Sequence, residues 1–165
     1  MSKSNKGRIL KPELSIHKKL GKVKFDQVFD KAAIARAEKV VADKAPLFNK
    51  KTLKDFAALK KLHNKAINES RIDGKTYNKI AEVAFSIKSR AGTGGFPLAS
   101  EVANSLYKFC EDAAKNPPRD AGTALKLHVD ALEEIFENKF AVNDSQKGKK
   151  LIKGLEAISR KFLNH

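Results

Sequence analysis

The residue types that carry out enzymatic chemistry are present in this chain, but they are not spaced for it. Glu111-Asp112 and Glu133-Glu134 are adjacent acidic pairs, and neighbouring residues on a helix do not face each other, so they are weak candidates for paired-carboxylate catalysis. The sequence contains no H-x-x-x-H or C-x-x-C spacing, which predicts no metal site. No Ser–His or Cys–His arrangement is visible either. We therefore expect a protein that is not an enzyme and binds no metal or cofactor.

The most informative stretch of the chain leads into a glycine-rich turn. It reads Phe85-Ser86-Ile87-Lys88-Ser89-Arg90-Ala91-Gly92-Thr93-Gly94-Gly95-Phe96-Pro97-Leu98. Lys88 follows Phe85 by three residues, so the two share a helix face. Phe85 falls away from the packing face that the neighbouring apolar positions define, which are Ile80, Ala84 and Ile87. We therefore expect Phe85 to be exposed on a contact surface. The glycines follow no strand and lack a Gly-Lys-Ser/Thr ending, which predicts an interhelical turn rather than a phosphate-binding loop.

This stretch resembles the active-site segment of the histidine phosphotransfer (HPt) domain family. That family has a His, two residues, a Lys and a small residue, followed by a glycine-rich turn and a second helix. The resemblance implies an all-α fold, namely an antiparallel four-helix bundle of HPt type with an additional N-terminal helix or helices. It also implies a role in bacterial two-component or phosphorelay signalling. Phe85 stands at the phosphoacceptor position. Phosphotransfer needs the lone pair of a ring nitrogen, and a phenyl ring has none, so this site cannot hold phosphate.

Other positions extend the resemblance, which covers about residues 26–163. Lys88 is retained, whereas Ser86 stands where the family often has an acidic residue, Ser89 replaces a small Gly, and Arg90 stands where a Gln is common. Further segments that look similar are Ile34-Ala35-Arg36-Ala37-Glu38, Asn104-Ser105-Leu106-Tyr107-Lys108-Phe109, His128-Val129-Asp130-Ala131-Leu132 and Lys149-Lys150-Leu151-Ile152-Lys153-Gly154-Leu155.

The resemblance implies a pseudo-HPt protein that binds a response-regulator receiver domain or a histidine kinase without phosphotransfer. The residues expected to form this contact are Phe85, Lys88, Ser89 and Arg90, with Tyr107 and Lys108 on the following helix. In this interpretation Phe85 fills the place of the imidazole as an apolar plug.

None of the four histidines is predicted to take over the missing chemistry. His63 and His128 are each followed three residues later by an alanine, so neither has a lysine partner on its helix face. We expect His63 to be a solvated helix residue and His128 to be hydrogen-bonded at a seam between helices. His17 belongs to the N-terminal tail, and His165 is the last residue.

Charge is the strongest compositional signal. The chain has 34 Lys and Arg residues against 19 Asp and Glu residues, a net charge of +15, and residues 1–24 contain Glu13 as their one acidic residue. This balance favours an acidic partner such as nucleic acid, anionic lipid or an acidic protein surface. Receiver domains carry clustered aspartates, which a basic helix face would attract. The alternative is a basic nucleic-acid-associated helical protein whose tail neutralises phosphates.

Length and patterning predict a basic flexible tail over residues 1–25 and one helical bundle over residues 26–165. No apolar run is long enough to span a membrane, and the N-terminus lacks the apolar core of a secretory signal. The single cysteine, Cys110, fits a reducing compartment. We expect a cytoplasmic monomer with no membrane partner.

Helical spacing dominates from Asp26 onward, and no strand-like alternation appears. We expect a helix over 26–44 that ends before Pro46, a second over 50–69, and a third that is capped by Asp73 and runs to about 91. Pro97 suits the first turn of the next helix, which Asn116-Pro117-Pro118 stops. Asp120 or Thr123 would begin a fifth, central helix that is apolar over a wide arc. Asn143 or Asp144 would cap the last helix.

Overall fold

The structure, a computed structural model, describes residues 31–69, 71–119, 121–137 and 145–163, and in these residues it is entirely helical. The five helices are α1 (Lys31–Ile67), α2 (Gly74–Ala91), α3 (Pro97–Lys115), α4 (Gly122–Glu137) and α5 (Ser145–Leu163). The predicted all-α class is therefore confirmed. The N-terminal tail, including the boundary at residue 25, lies outside the described residues, as do Asp120, Asn143 and Asp144.

The prediction that Pro46 separates two helices is wrong. Helix α1 runs without interruption for 37 residues, with Pro46 inside it. A proline removes one backbone N–H and crowds the carbonyl four residues earlier, at a cost of roughly 3 kcal/mol. Only one hydrogen bond is lost in this way, and the residues on both sides keep good helical spacing, so the local signal for a stop does not end the helix.

The chain divides into two compact units, Met1–Lys39 and Val40–His165. In the first unit the described residues, 31–39, form the beginning of α1, and the side chains described there are exposed. The second unit holds the remainder of α1 and the other four helices. Every buried core residue that the structure describes lies in this second unit, and so do the residues of the site described below.

Local signals set the ends of α2 and α3 as predicted. The Asp73 side chain accepts a hydrogen bond from the backbone N–H of Thr76 at 2.7 Å, which caps α2. The turn after α2 closes with a hydrogen bond of 2.8 Å from the Phe96 N–H to the Ala91 carbonyl. Gly95 has a φ of 94°, a left-handed conformation that favours glycine. Pro97 then begins α3, where its missing N–H costs nothing.

A close approach joins the other ends of these two helices. A Cβ atom added at Gly74 would lie 2.7 Å from the backbone oxygen of Ala114, so only glycine allows α2 and α3 to approach this closely. Near the glycine-rich turn, the Ser100 hydroxyl donates to the Lys88 carbonyl at 2.6 Å. The α2–α3 hairpin is therefore held at both ends.

The apolar pattern predicted a central α4, but it is α3 that contacts α2, α4 and α5. Helix α4 packs beside α3. It contacts both α3 and α5, and Phe136 contacts Phe56 of α1 and Phe96, with ring centroids 5.0 and 5.1 Å apart. The helix begins at Gly122, so Thr123 lies inside its first turn. Leu127 is the exception to the pattern, because it remains 37% exposed.

Candidate functional site

The exposed face of α2 carries the position that the sequence singled out. Phe85 is 50% exposed, whereas Ile80, Ala84 and Ile87 on the same helix are fully buried. The prediction that Phe85 lies at the surface is confirmed. A half-exposed phenyl ring gains only part of the free energy available from burial, about 1.5–3 kcal/mol for a fully buried Phe, so packing alone gives little reason for its presence here.

Phe85, Lys88 and Tyr107 form one group, here called the aromatic–lysine cluster. The Phe85 and Tyr107 ring centroids are 5.5 Å apart and the rings are tilted by 54°. The Lys88 ammonium lies 5.7 Å from the Phe85 centroid and 5.5 Å from the Tyr107 centroid. Each such contact contributes about 0.5–1 kcal/mol at an exposed site. The two rings therefore hold a positive charge in a defined place on the α2–α3 surface.

Tyr107 is fixed by Glu111, which the sequence suggested only as part of a weak candidate for paired-carboxylate catalysis. Its hydroxyl donates to the Glu111 carboxylate at 2.5 Å, one helical turn further along α3. This hydrogen bond raises the pKa of the Tyr107 hydroxyl above its ordinary value, so the side chain stays neutral and keeps its donor. The spacing of four residues between Tyr107 and Glu111 was a signal that could have identified the pair.

Ser89 and Arg90 make contacts of their own. The Ser89 hydroxyl donates to the Phe85 carbonyl at 2.8 Å, within α2. Arg90 forms an ion pair with Asp55 of α1, so its charge is already balanced within the protein. A contact across 35 residues of sequence cannot be inferred from helix periodicity.

Lys108 faces a different neighbour from Tyr107. It lines a cavity of about 240 Å³ together with residues from α3 and α5, among them Asp112, Glu156 and Arg160. Consecutive helix residues point about 100° apart, because one turn takes 3.6 residues. Of the six predicted contact residues, Phe85, Lys88 and Tyr107 therefore form one cluster, Ser89 lies beside them, and Arg90 and Lys108 contact other elements.

The two described histidines are both buried. The prediction of a solvated His63 is wrong: its residual exposure is 6%, and its Nδ1 lies 3.3 Å from the Asn64 side-chain oxygen. His63 lies four residues after Leu59 and three before Ala66, so it shares the buried face of α1 with them, and this spacing was the signal that the prediction overlooked. His128 is hydrogen-bonded between α3 and α4, as predicted.

The geometry around His128 defines its protonation. Nδ1 lies 2.8 Å from the Ala124 carbonyl, which can only accept, so Nδ1 carries the proton and donates. Nε2 therefore accepts from the Ser105 hydroxyl at 3.0 Å. Burial lowers the pKa of His128, which favours the neutral ring. The lone pair that phosphotransfer would need is engaged inside the core.

The other reactive groups of the described chain do not form a reaction centre. Cys110 is fully buried, and burial raises the pKa of its thiol well above the ordinary range, so it stays protonated. Within the described ranges no group of His, Cys, Asp and Glu residues could hold a metal ion. Among the described helices, none combines the length and apolar character needed to cross a membrane.

Comparison with known proteins adds no relative. No family model, no curated protein and no solved structure matches this chain.

Proposed function

We propose that this chain is a pseudo-HPt protein that binds a response-regulator receiver domain or a histidine kinase and transfers no phosphate. The proposal includes the finer fold assignment, an HPt-type four-helix bundle with an additional N-terminal helical segment. One observation supports it above the others: a half-exposed phenyl ring with a lysine over it, at the position where the resembling family has its reactive imidazole.

The chemistry of the cluster fits docking without catalysis. Phe85 and Tyr107 offer apolar ring surface, and Lys88 offers a positive charge that is held beside them. Aromatic residues are enriched at the energetic centres of protein interfaces. A carboxylate-rich partner surface would gain from Lys88, and the chain's net charge of +15 would speed the encounter. Occupancy of the partner, rather than group transfer, would be the output.

The test combines a transfer assay with a binding assay. Each purified receiver domain and histidine kinase of the source cell is measured for binding to the wild type, to Phe85→Asp and to Leu127→Asp. Leu127 is the matched control, because it is an exposed apolar residue on another helix. We expect a partner that loses at least about tenfold in affinity for Phe85→Asp and keeps its affinity for Leu127→Asp.

Label transfer is measured with the same partner in its radiolabelled phosphorylated form. We expect no acid-labile phosphate on this chain. Label on the wild-type chain would refute the loss of chemistry. Equal affinities of the two Asp variants, or no binding by any receiver or kinase, would refute the docking surface.

A basic nucleic-acid-associated protein is the second candidate, and the charge excess is the observation that favours it. Thirty-four basic residues on a chain of 165 are enough to neutralise several phosphates. Micromolar or tighter DNA binding with a steep salt dependence, abolished by deletion of residues 1–24, would support this candidate. Binding that depends on Phe85 and not on the tail would support the pseudo-HPt proposal.

A further inference from the structure

A second surface lies at the end of α2 that is remote from the glycine-rich turn. Here α1 leads into α2 and α3 leads into α4, and two cavities of about 390 Å³ each open between these connections. Arg71, Pro118 and Arg119 line both cavities. The two arginines therefore border one continuous depression, here called the arginine groove.

The arginine groove carries excess positive charge. Arg71 donates from Nη2 to the Pro117 carbonyl at 3.3 Å, which uses one of its five N–H donors. Arg119 is exposed and forms no ion pair with any residue of the described ranges. Lys126 also lines the groove but is paired with Asp130 at 2.6 Å, and Glu69 is the acidic residue on this wall. Among the described residues that line the groove, two arginines thus face the carboxylate of Glu69.

The first turn of α4 adds hydrogen-bond donors to the same wall. Gly122 and Thr123 line the groove, and the first N–H groups of a helix have no acceptor within it. The positive end of the helix dipole lies there as well, so this turn favours an anion. A Cβ atom added at Gly122 would meet nothing within 4 Å, which shows that the space over the turn is open.

Tyr77 supplies an independent sign of a missing partner. The residue is fully buried and lines the groove, and its hydroxyl has no hydrogen-bond partner among the described residues. Burial raises the pKa of this hydroxyl, so it remains a donor. A buried polar group without a partner costs about 1–3 kcal/mol, and an oxygen-rich ligand in the groove could satisfy it after a small shift of the neighbouring side chains.

We propose that the arginine groove binds the phosphate group of a small phosphorylated molecule. Arginine guanidinium groups match the geometry of phosphate oxygens, and helix N-termini bind the same group. The arginine groove brings together two guanidinium groups, the first turn of α4 and an unpartnered hydroxyl. The site is separate from the aromatic–lysine cluster and does not depend on the proposed docking function.

The probe is inorganic phosphate, added to the full-length protein at constant ionic strength and followed by amide NMR. We expect saturable shifts centred on Gly122 and Thr123. Arg119→Gln should weaken the affinity about tenfold, because it removes a charge-assisted contact. Glu69→Gln should strengthen it, because it removes the opposing charge. Lys54→Gln is the control: it removes the same charge from α1 beside Asp55, whose partner Arg90 lies at the other end of α2.

Tyr77→Phe keeps the ring in the core and removes only the hydroxyl, so we expect the affinity for phosphate to fall several-fold while the fold is retained. Shifts that grow linearly without saturation would overturn the proposal. So would equal weakening by Lys54→Gln and Arg119→Gln, because the anion would then be attracted to the basic surface in general.

Discussion

Phosphotransfer needs a ring that has a nitrogen lone pair and is also accessible to the partner. Phe85 and His128 each have one of these two features. The Phe85 ring is half exposed beside a lysine but has no nitrogen. The His128 ring has a nitrogen lone pair, but it is fully buried and its lone pair accepts from Ser105. Reactivity requires both a nucleophilic atom and access to it, and each of these two positions lacks one of them.

The largest expected effect is a gain of function at the exposed ring. Phe85→His places an imidazole beside Lys88 on the α2 surface, and a neutral imidazole can attack an aspartyl phosphate. If the pseudo-HPt proposal is right, this variant, alone or combined with Ser89→Gly, should accept label from a phosphorylated receiver that the wild type leaves untouched.

Leu127→His is the matched control for this gain. It also puts an imidazole on an exposed helix position, but the residue three positions later is Asp130 rather than a lysine. Label on both variants would indicate unspecific phosphorylation. A folded Phe85→His protein that takes up no label in either background would contradict the HPt interpretation.

The next effect is on stability, at the buried ring. His128→Ala leaves a cavity and removes the acceptor of the Ser105 hydroxyl, so the free energy of unfolding should fall by about 2–4 kcal/mol. Urea denaturation followed by circular dichroism measures this loss. If His128→Ala lowers the free energy of unfolding by less than the surface variant Phe85→Ala does, His128 is not a central residue of the core.

A smaller effect should appear in the pH dependence of stability. Burial lowers the pKa of His128 in the folded protein, whereas the unfolded chain has the ordinary value of about 6.5. Between these two pKa values the unfolded chain binds a proton that the folded protein does not, so the free energy of unfolding should decrease as pH falls below about 6.5, by up to about 1.4 kcal/mol per pH unit. The same titration on His128→Gln should give a shallower decrease, and an unchanged slope would contradict the assignment.

The smallest effect is expected from truncation of the exposed ring. Phe85→Ala removes a half-exposed side chain and its contacts with Tyr107 and Lys88, so the free energy of unfolding should change by about 1 kcal/mol or less. Thermal denaturation compares it with the wild type. A loss of several kcal/mol would mean that Phe85 is a structural residue, and the contrast between the two rings would then lose its functional meaning.

The sequence predicted local features well because their causes are local. The exposure of Phe85 follows from the spacing of Ile80, Ala84 and Ile87 on one helix. The cap at Asp73 and the start of α3 at Pro97 follow from backbone hydrogen bonding. None of these depends on how the helices pack against each other.

The features that the sequence did not predict arise from packing between helices. The ion pair between Arg90 and Asp55 and the position of Lys108 at the α3–α5 cavity both depend on which helix lies opposite. The burial of His63 is different, because its spacing to Leu59 and Ala66 already places it on the apolar face of α1. Pro46 is a different case, because there a local signal was present and the helix continued through it.

The attachment of the α2–α3 hairpin at both ends has a consequence for recognition. Gly74 lets α2 approach Ala114 at one end, and Ser100 binds the Lys88 carbonyl at the other. Neither helix can slide along the other without breaking one of these contacts, so the spacing of Phe85 and Tyr107 is set before any partner arrives. A preformed surface loses little conformational entropy on association, which strengthens binding without any added contact.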